Sequence, residues 1–173
     1  MNTSERFYLR PAARVDADAL FELRTAIFAQ DFPDVDFNKE KEYREIVQIL
    51  TDQGASTIWL ADLDGEVVGY VRSDALGAGH ERLLAVTWLG VRADVRRRGY
   101  GTKLLNAASG DIPAYAFMPC QGGDDAAGAQ FFVARDFSRI DLTEDAQAVA
   151  QTLGLALTET GSAGSSGQKT FIR

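Results

Sequence analysis

Apolar positions along the chain alternate between two spacings, one near the helical repeat and one of two residues, and the switches between them mark out the elements. Phe7-Tyr8-Leu9-Arg10, followed by Pro11, reads as a short first strand. Over residues 16–28, Ala19, Leu20, Leu23, Ile27 and Phe28 recur at helical spacing, with Asp16 as the expected N-cap; Asp31-Phe32-Pro33-Asp34 ends the pattern. A second helix is predicted over 38–51, with Tyr43, Ile46, Val47 and Leu50 on one face. Strand-like runs at 57–62 and 67–72 flank Asp64-Gly65, a strong hairpin signal. Beyond a loop carrying Gly77 and Gly79, residues 83–91 form a long apolar strand candidate. A polar, glycine-containing turn follows over 94–101, then a helix from 102 with Leu104 and Leu105 inward. The remainder reads as a strand at 114–118 stopped by Pro119, a helix at 124–135, a strand at 138–142 and a helix at 143–153. A Gly/Ser connector at 161–167 precedes a closing strand at 169–172. Trp59 and Trp88 alternate with apolar neighbours and are expected in the core. The order β-α-α-β-β-β-α-β-α-β predicts one α/β domain of the α+β type, residues 1–173, with a mixed sheet and no internal repeat.

Composition narrows the class. A chain of 173 residues buries a real core, since about 70% of the unfolded surface is lost near ~150 residues. Apolar residues at 46% and charged residues at 25% exclude wholesale disorder. No apolar run approaches the ~18 residues that cross a bilayer, and the N-terminal stretch carries no secretory segment, so a cytoplasmic protein without a membrane partner is expected. One cysteine, Cys120, leaves no intrachain disulfide and suits a reducing compartment; with one histidine, His80, no metal site is expected. Eighteen Lys and Arg against 25 Asp and Glu give a net charge of −7, which argues against a nucleic-acid binder. The positive charge is nevertheless concentrated: Arg92, Arg96, Arg97, Arg98 and Lys103 fall within 12 residues.

That stretch is a strand, a basic turn with Gly99 and Gly101, then a helix. Glycines let the backbone approach a ligand closely, and the free N–H groups and dipole of the following helix favour an anion. A phosphate or pyrophosphate fits. A Walker A loop is absent, because Gly99 lacks the Gly-x-x-x-x-Gly-Lys-Ser/Thr frame. A dinucleotide fingerprint needs a glycine where Leu104 stands and would follow the first strand.

Arg96-x-x-Gly99-x-Gly101 followed by Leu104-Leu105, after an apolar strand, resembles the acyl-CoA signature of the GNAT superfamily of N-acyltransferases. Ala129-Gln-Phe-Phe-Val-Ala-Arg-Asp-Phe137 is similar to that family's later helix, and the helix-helix-hairpin opening also matches, so the resemblance covers residues 5–142. It implies the GNAT fold: a central, mostly antiparallel mixed sheet flanked by helices, with a V-shaped split between the fourth and fifth strands. It implies acyl-CoA, most simply acetyl-CoA, as donor. Leu89 and Val91 would offer backbone groups to the pantetheine arm, with Gly90 marking the bulge that parts the strands. Backbone N–H groups of Arg97, Arg98, Gly99, Gly101 and Thr102 would hold the pyrophosphate, Arg96 or Arg97 would reach the nucleotide phosphates, and Asp125 aligns with a CoA-contacting asparagine.

The chemistry needs a polarised thioester, a neutral amine and a stable leaving thiolate. An alkylamine of pKa ~10.4 is neutral in only about one molecule in 2,500 at pH 7, a penalty of roughly 4.6 kcal/mol. The family's usual tyrosine acid is replaced here by Phe132, and Ala85 stands where several relatives carry a glutamate base. Tyr115 and Cys120 are the substitute proton donors; His80 and Glu81 are the remaining base candidates. An acidic, partly aromatic stretch, Asp31, Phe32 and Asp34, is expected to face a small cationic amine. The expected protein is a monomeric or homodimeric acyltransferase acting on a small-molecule amine. The alternatives are a non-catalytic acyl-CoA- or partner-binding module and a biosynthetic transferase using an unusual acyl group.

Overall fold

In the computed structural model the apolar stripe of the first helix becomes a buried face: α1 (Ala17–Asp31) turns Ala17, Leu20, Leu23 and Ile27 inward. The structure describes residues 5–34, 36–52, 54, 56–76, 83–110, 114–119, 130–132, 134–135, 138–139 and 168–172. Asp16 precedes α1 but its carboxylate makes no cap to it, contrary to the sequence expectation. It accepts instead from both Nη atoms of Arg10 and from Ala13 N–H, each at 2.8 Å. A bidentate, charge-assisted pair is the stronger offer, because such bonds are roughly twice as strong as neutral ones. α2 (Lys39–Thr51) begins one residue later than expected, because Asn38 serves as its cap: the Asn38 side chain accepts from Lys41 N–H at 3.0 Å.

The chain forms two compact units, Met1–Asp74 with Trp88–Gly110, and Ala75–Thr87 with Asp111–Arg173. In the first, β1 (Phe7–Pro11), β2 (Ser56–Leu63), β3 (Glu66–Leu76, as far as Asp74) and the end of β4 (Leu83–Val91) lie side by side in that order. β1 and β2 are antiparallel, from Phe7↔Leu63 to Pro11↔Trp59. β2 and β3 are antiparallel from Ser56↔Asp74 to Leu63↔Glu66, with a shift of register between Ala61 and Asp62. Their turn places Asp64 at φ 54° and Gly65 at φ 90°, the left-handed pair that a two-residue hairpin requires. The end of β4 runs antiparallel to β3: Arg92 N–H donates to the Val68 carbonyl at 2.8 Å, and Gly90 lies against Gly69 and Tyr70.

The two faces of this sheet are covered differently. Leu20, Leu23, Ile27 and Ile46 pack on Ile58, Leu60 and Tyr70, with Trp88 against the cluster. Gly69, beside Tyr70, faces the other way, since neighbouring residues of a strand point to opposite faces. A Cβ on Gly69 would lie 3.0 Å from Leu104 Cδ1 of α3 (Tyr100–Ser109), so α3 covers that second face with Leu104 and Leu105 fully buried. Phe7 stacks on Tyr100 at 4.3 Å between ring centroids. α3 begins two residues earlier than expected because Gly99, at φ 81°, supplies the turn into it.

In the second unit the start of β4 pairs in parallel with β5 (Ala114–Pro119) over Leu84↔Ala114, Ala85↔Tyr115 and Val86↔Ala116. β5 is antiparallel to β7 (Gln168–Ile172), which is antiparallel to β6 (Ser138–Arg139). Pro119 closes β5 within the strand, opposite Gln168, rather than just beyond it. β4 therefore pairs with β5 through Leu84–Val86, while its Trp88–Val91 end belongs to the first unit. The first unit thus has the antiparallel, helix-flanked sheet of four strands that the resemblance implied, and the second adds the one parallel pairing. Of the later helix expected over 124–135, Gln130–Phe132 are helical and 124–129 lie outside the described residues, as do the helix at 143–153 and the connector at 161–167.

Candidate functional site

The basic turn is built by three backbone choices. Val91 ends β4, a short 3-10 turn at Ala93–Val95 buries Val95, and the chain then passes through left-handed conformations at Arg97 (φ 64°) and Gly99 (φ 81°) into α3. A left-handed arginine is uncommon and costs about 1–2 kcal/mol, so the turn stores strain. It leaves the N–H groups of Arg97, Arg98, Gly99, Tyr100 and Gly101 with no acceptor among the described residues, at the positive end of the α3 dipole. A Cβ on Gly99 would meet nothing within 4 Å, so the turn is open on that side.

The four arginines are not equivalent. Arg92 binds Asp94 and Glu66, at 2.7 and 3.0 Å, which raises the Arg92 guanidinium further and draws the Asp94 carboxyl down. Arg98 binds Glu5 at 3.1 Å and is raised by the Tyr100 side chain and then by Glu5. Arg96 grips Asp31 with both Nη atoms, at 3.1 and 2.5 Å, and its Nε donates to the Val91 carbonyl at 2.8 Å. Arg97 alone has no ion pair or hydrogen bond among the described residues. The structure thus distinguishes Arg97 from Arg96, which the sequence left as equal candidates, and it commits Asp31 to a guanidinium of its own chain.

Alternation orients β4. Arg92 N–H points to β3, so the backbone groups of Leu89 and Val91 point to the opposite edge. Arg96 takes the Val91 carbonyl there. Gly90 is demanded by its neighbour on β3: a Cβ would lie 2.6 Å from both Cζ and Oη of Tyr70. Behind Trp88 sits a group of residues that sequence reasoning missed. Arg24 is 2% exposed, binds Glu42 at 2.7 Å and lies 3.6 Å over the Trp88 ring, with Arg72 at 4.8 Å from the same ring. Tyr70 is fully enclosed; burial pushes its phenol up, opposed by the Arg24 guanidinium. The available signal was Arg24 itself, a charge on the buried stripe between Leu20 and Phe28.

Of the remaining sequence candidates, His80, Glu81, Cys120 and Asp125 lie outside the described residues. Tyr115 is in β5 between Ala85 and Ile172 in register. Phe132 is buried, edge-on to Phe131 at 5.3 Å. Thr102 lies in the first turn of α3, Asp34 is exposed, and Phe32 packs near Phe28. Among the described residues no group of His, Cys, Asp or Glu is placed to hold a metal, and no helix is long and apolar enough to cross a membrane.

The acetyltransferase (GNAT) family model matches residues 17–116, more than half of the chain, and the protein belongs to that family. Solved structures share the fold. An acetyltransferase from Thermus thermophilus matches with a TM-score of 0.66 at 20% identity over 96% of each chain. The PaiA N-acetyltransferase of Thermoplasma acidophilum, in complex with coenzyme A, gives 0.63 at 13% identity over 97% of this chain and 98% of that one. Arabidopsis thaliana NAA60, in complex with a bisubstrate analogue, gives 0.62 at 17% identity over 97% of each. No curated protein matches the chain. The fold and the acyl-CoA family expected from Arg96-x-x-Gly99-x-Gly101 are those observed.

Proposed function

We propose that the chain is a single-domain, cytoplasmic N-acyltransferase that moves an acetyl group from acetyl-CoA to a primary amine of a small molecule. The observation that carries this is the run of five backbone N–H groups, Arg97 to Gly101, without an acceptor among the described residues at the start of α3. Five donors at a helix N-terminus fit a pyrophosphate, and Thr102 and the lone Arg97 side chain extend the set toward the nucleotide phosphates. Hydrogen bonds to charged groups contribute about 1.5–3 kcal/mol each, enough together for micromolar binding after the cost of immobilising the ligand.

Leu89 and Val91, facing away from β3, offer backbone groups to the pantetheine arm; with Arg96 on the Val91 carbonyl, the N–H is the group left to polarise the thioester. The amine nitrogen attacks that carbonyl carbon directly, the new C–N bond replaces C–S, the thiolate leaves, and the attacking nitrogen loses a proton. His80, Glu81, Tyr115 and Cys120 are the side chains proposed for the proton transfers, and Asp125 for CoA contact.

Calorimetry with CoA tests the turn: micromolar binding is expected for the wild type and its loss in Gly99→Trp, which puts an indole on the open side of the turn. Undiminished binding by that variant would sink the assignment. A second reading, a non-catalytic acyl-CoA binder, draws on Phe132, which has no proton to give and is buried. Free thiol released from acetyl-CoA across an amine panel separates the two, and separate Tyr115→Phe and Cys120→Ala variants test the donors.

A further inference from the structure

Where α1 ends and α2 begins, a half-open cavity of about 260 Å³ is walled by Phe28, Ala29, Phe32, Pro33 and Phe37, with Thr25 and Lys39 completing it. Its rings are clustered, Phe28 to Phe32 at 5.3 Å and Phe28 to Phe37 at 4.7 Å. The wall holds one buried polar atom, Thr25 Oγ1, which has no hydrogen-bond partner among the described residues. A helical threonine usually satisfies its hydroxyl on the carbonyl four residues back; Thr25 does not, and its Oγ1 is enclosed by the surrounding protein rather than presented to the cavity. Asp34 and Asp36, on the connection that carries Pro33 and Phe37, are exposed and without partners among the described residues.

The cavity is tied to β4 by two routes. Phe28 lies 5.4 Å from the Arg24 guanidinium, which in turn covers Trp88. Asp31, one turn on from Phe28, is gripped by Arg96, which also holds the Val91 carbonyl. A molecule seated among the phenyl rings is therefore separated from the end of the strand assigned to the thioester by the Arg24 and Asp31–Arg96 side chains.

From this the geometry points to an acceptor class: a monoamine bearing an aromatic ring or an apolar group of similar size, its ring in the Phe28–Phe32–Phe37 cavity and its amine toward Leu89–Val91. This rests on the acyl-transfer reading above. The volume suits a ring, an engineered apolar cavity of ~150 Å³ being enough for benzene. An amino sugar needs several convergent hydrogen-bond partners, and the wall's two polar side chains are Thr25, whose hydroxyl is enclosed, and Lys39. A polyamine brings a second cation beside Lys39, which has no carboxylate partner among the described residues. Asp34 and Asp36, carried on the same connection as Pro33 and Phe37, add a negative field that favours a single ammonium.

The test compares 2-phenylethylamine, spermidine and glucosamine, by thiol release from acetyl-CoA and by calorimetric titration of each amine onto the CoA complex. Expected is a kcat/KM for 2-phenylethylamine at least about tenfold above the others, lost mainly through KM in Phe32→Ala. Ala29→Trp fills the cavity from an exposed position without removing a packed side chain, and is expected to cause the same loss with CoA affinity unchanged. Circular dichroism confirms that both variants are folded. Binding of 2-phenylethylamine that Ala29→Trp abolishes, without turnover, would keep this site and overturn the transfer reading. Preference for spermidine or glucosamine, no binding of 2-phenylethylamine, or an unchanged ratio in Ala29→Trp overturns the acceptor class.

Discussion

Arg97 combines two features in this turn, a left-handed backbone and a side chain without a partner among the described residues, and is the residue proposed above to reach the nucleotide phosphates. Replacing it by glycine separates them. Arg97→Gly is expected to leave stability unchanged or raise it by up to about 1 kcal/mol in urea unfolding, because glycine adopts φ 64° without the Cβ penalty. The same variant should bind CoA at least about tenfold more weakly by calorimetry, one hydrogen bond to a charged phosphate being lost. Arg92→Ala should change CoA affinity far less, since Arg92 is already committed to Asp94 and Glu66. Gly90→Ala is the opposite case. Its Cβ would collide with the Tyr70 phenol at 2.6 Å, and a destabilisation of about 1–3 kcal/mol is expected from the urea midpoint. The glycines of Arg96-x-x-Gly99-x-Gly101 were legible because they sit in a turn signature, whereas the requirement at Gly90 comes from a residue 20 positions away on the neighbouring strand.

Between elements, buried and exposed ion pairs have different work. Arg24–Glu42 links α1 to α2 with the Arg24 side chain 3% exposed. Arg24→Leu strands the Glu42 carboxylate and uncovers Trp88, and is expected to cost about 3 kcal/mol in thermal or urea unfolding. Asp31–Arg96 is half-exposed, so Asp31→Asn should cost less than about 1 kcal/mol. Because that pair fixes the end of α1 to the end of β4, the variant should raise the acceptor KM while CoA affinity holds. The Arg10–Asp16 pair predicts a pH dependence. The Arg10 guanidinium holds the Asp16 carboxyl below its ordinary value of 3.8. The unfolded chain therefore binds this proton more readily than the folded one, and the stabilisation, complete above the unfolded value, is lost as pH falls through the folded value. Urea unfolding from about pH 5 to about pH 2 should show the wild type losing its advantage over Asp16→Asn. The element pattern itself was readable: both early helices and the Asp64-Gly65 hairpin follow from apolar spacing and turn chemistry. The cap was not, because a local rule for Asp16 lost to Arg10, whose arrival depends on how β1 meets the turn before α1.

At the scale of the molecule, a net charge of −7 coexists with a cationic turn, and the structure shows how. Arg92, Arg96 and Arg98 are each neutralised by carboxylates of the surrounding acidic chain, leaving a small positive field at Arg97 and the α3 N-terminus. CoA affinity should accordingly fall by less than about tenfold between 50 and 200 mM salt, against the ~10³ or more lost by a protein that neutralises many nucleic-acid phosphates. The family and its fold were legible in the sequence alone, since helix periodicity, strand alternation and the glycine spacing of a phosphate turn are local properties of consecutive residues. The partners were not. Which arginine is free of the acidic chain around it, why Gly90 carries no side chain, that Asp31 serves Arg96 and that three phenylalanines enclose a cavity are all contacts between residues distant in the chain. Those depend on packing, which brings together groups that no local spacing relates.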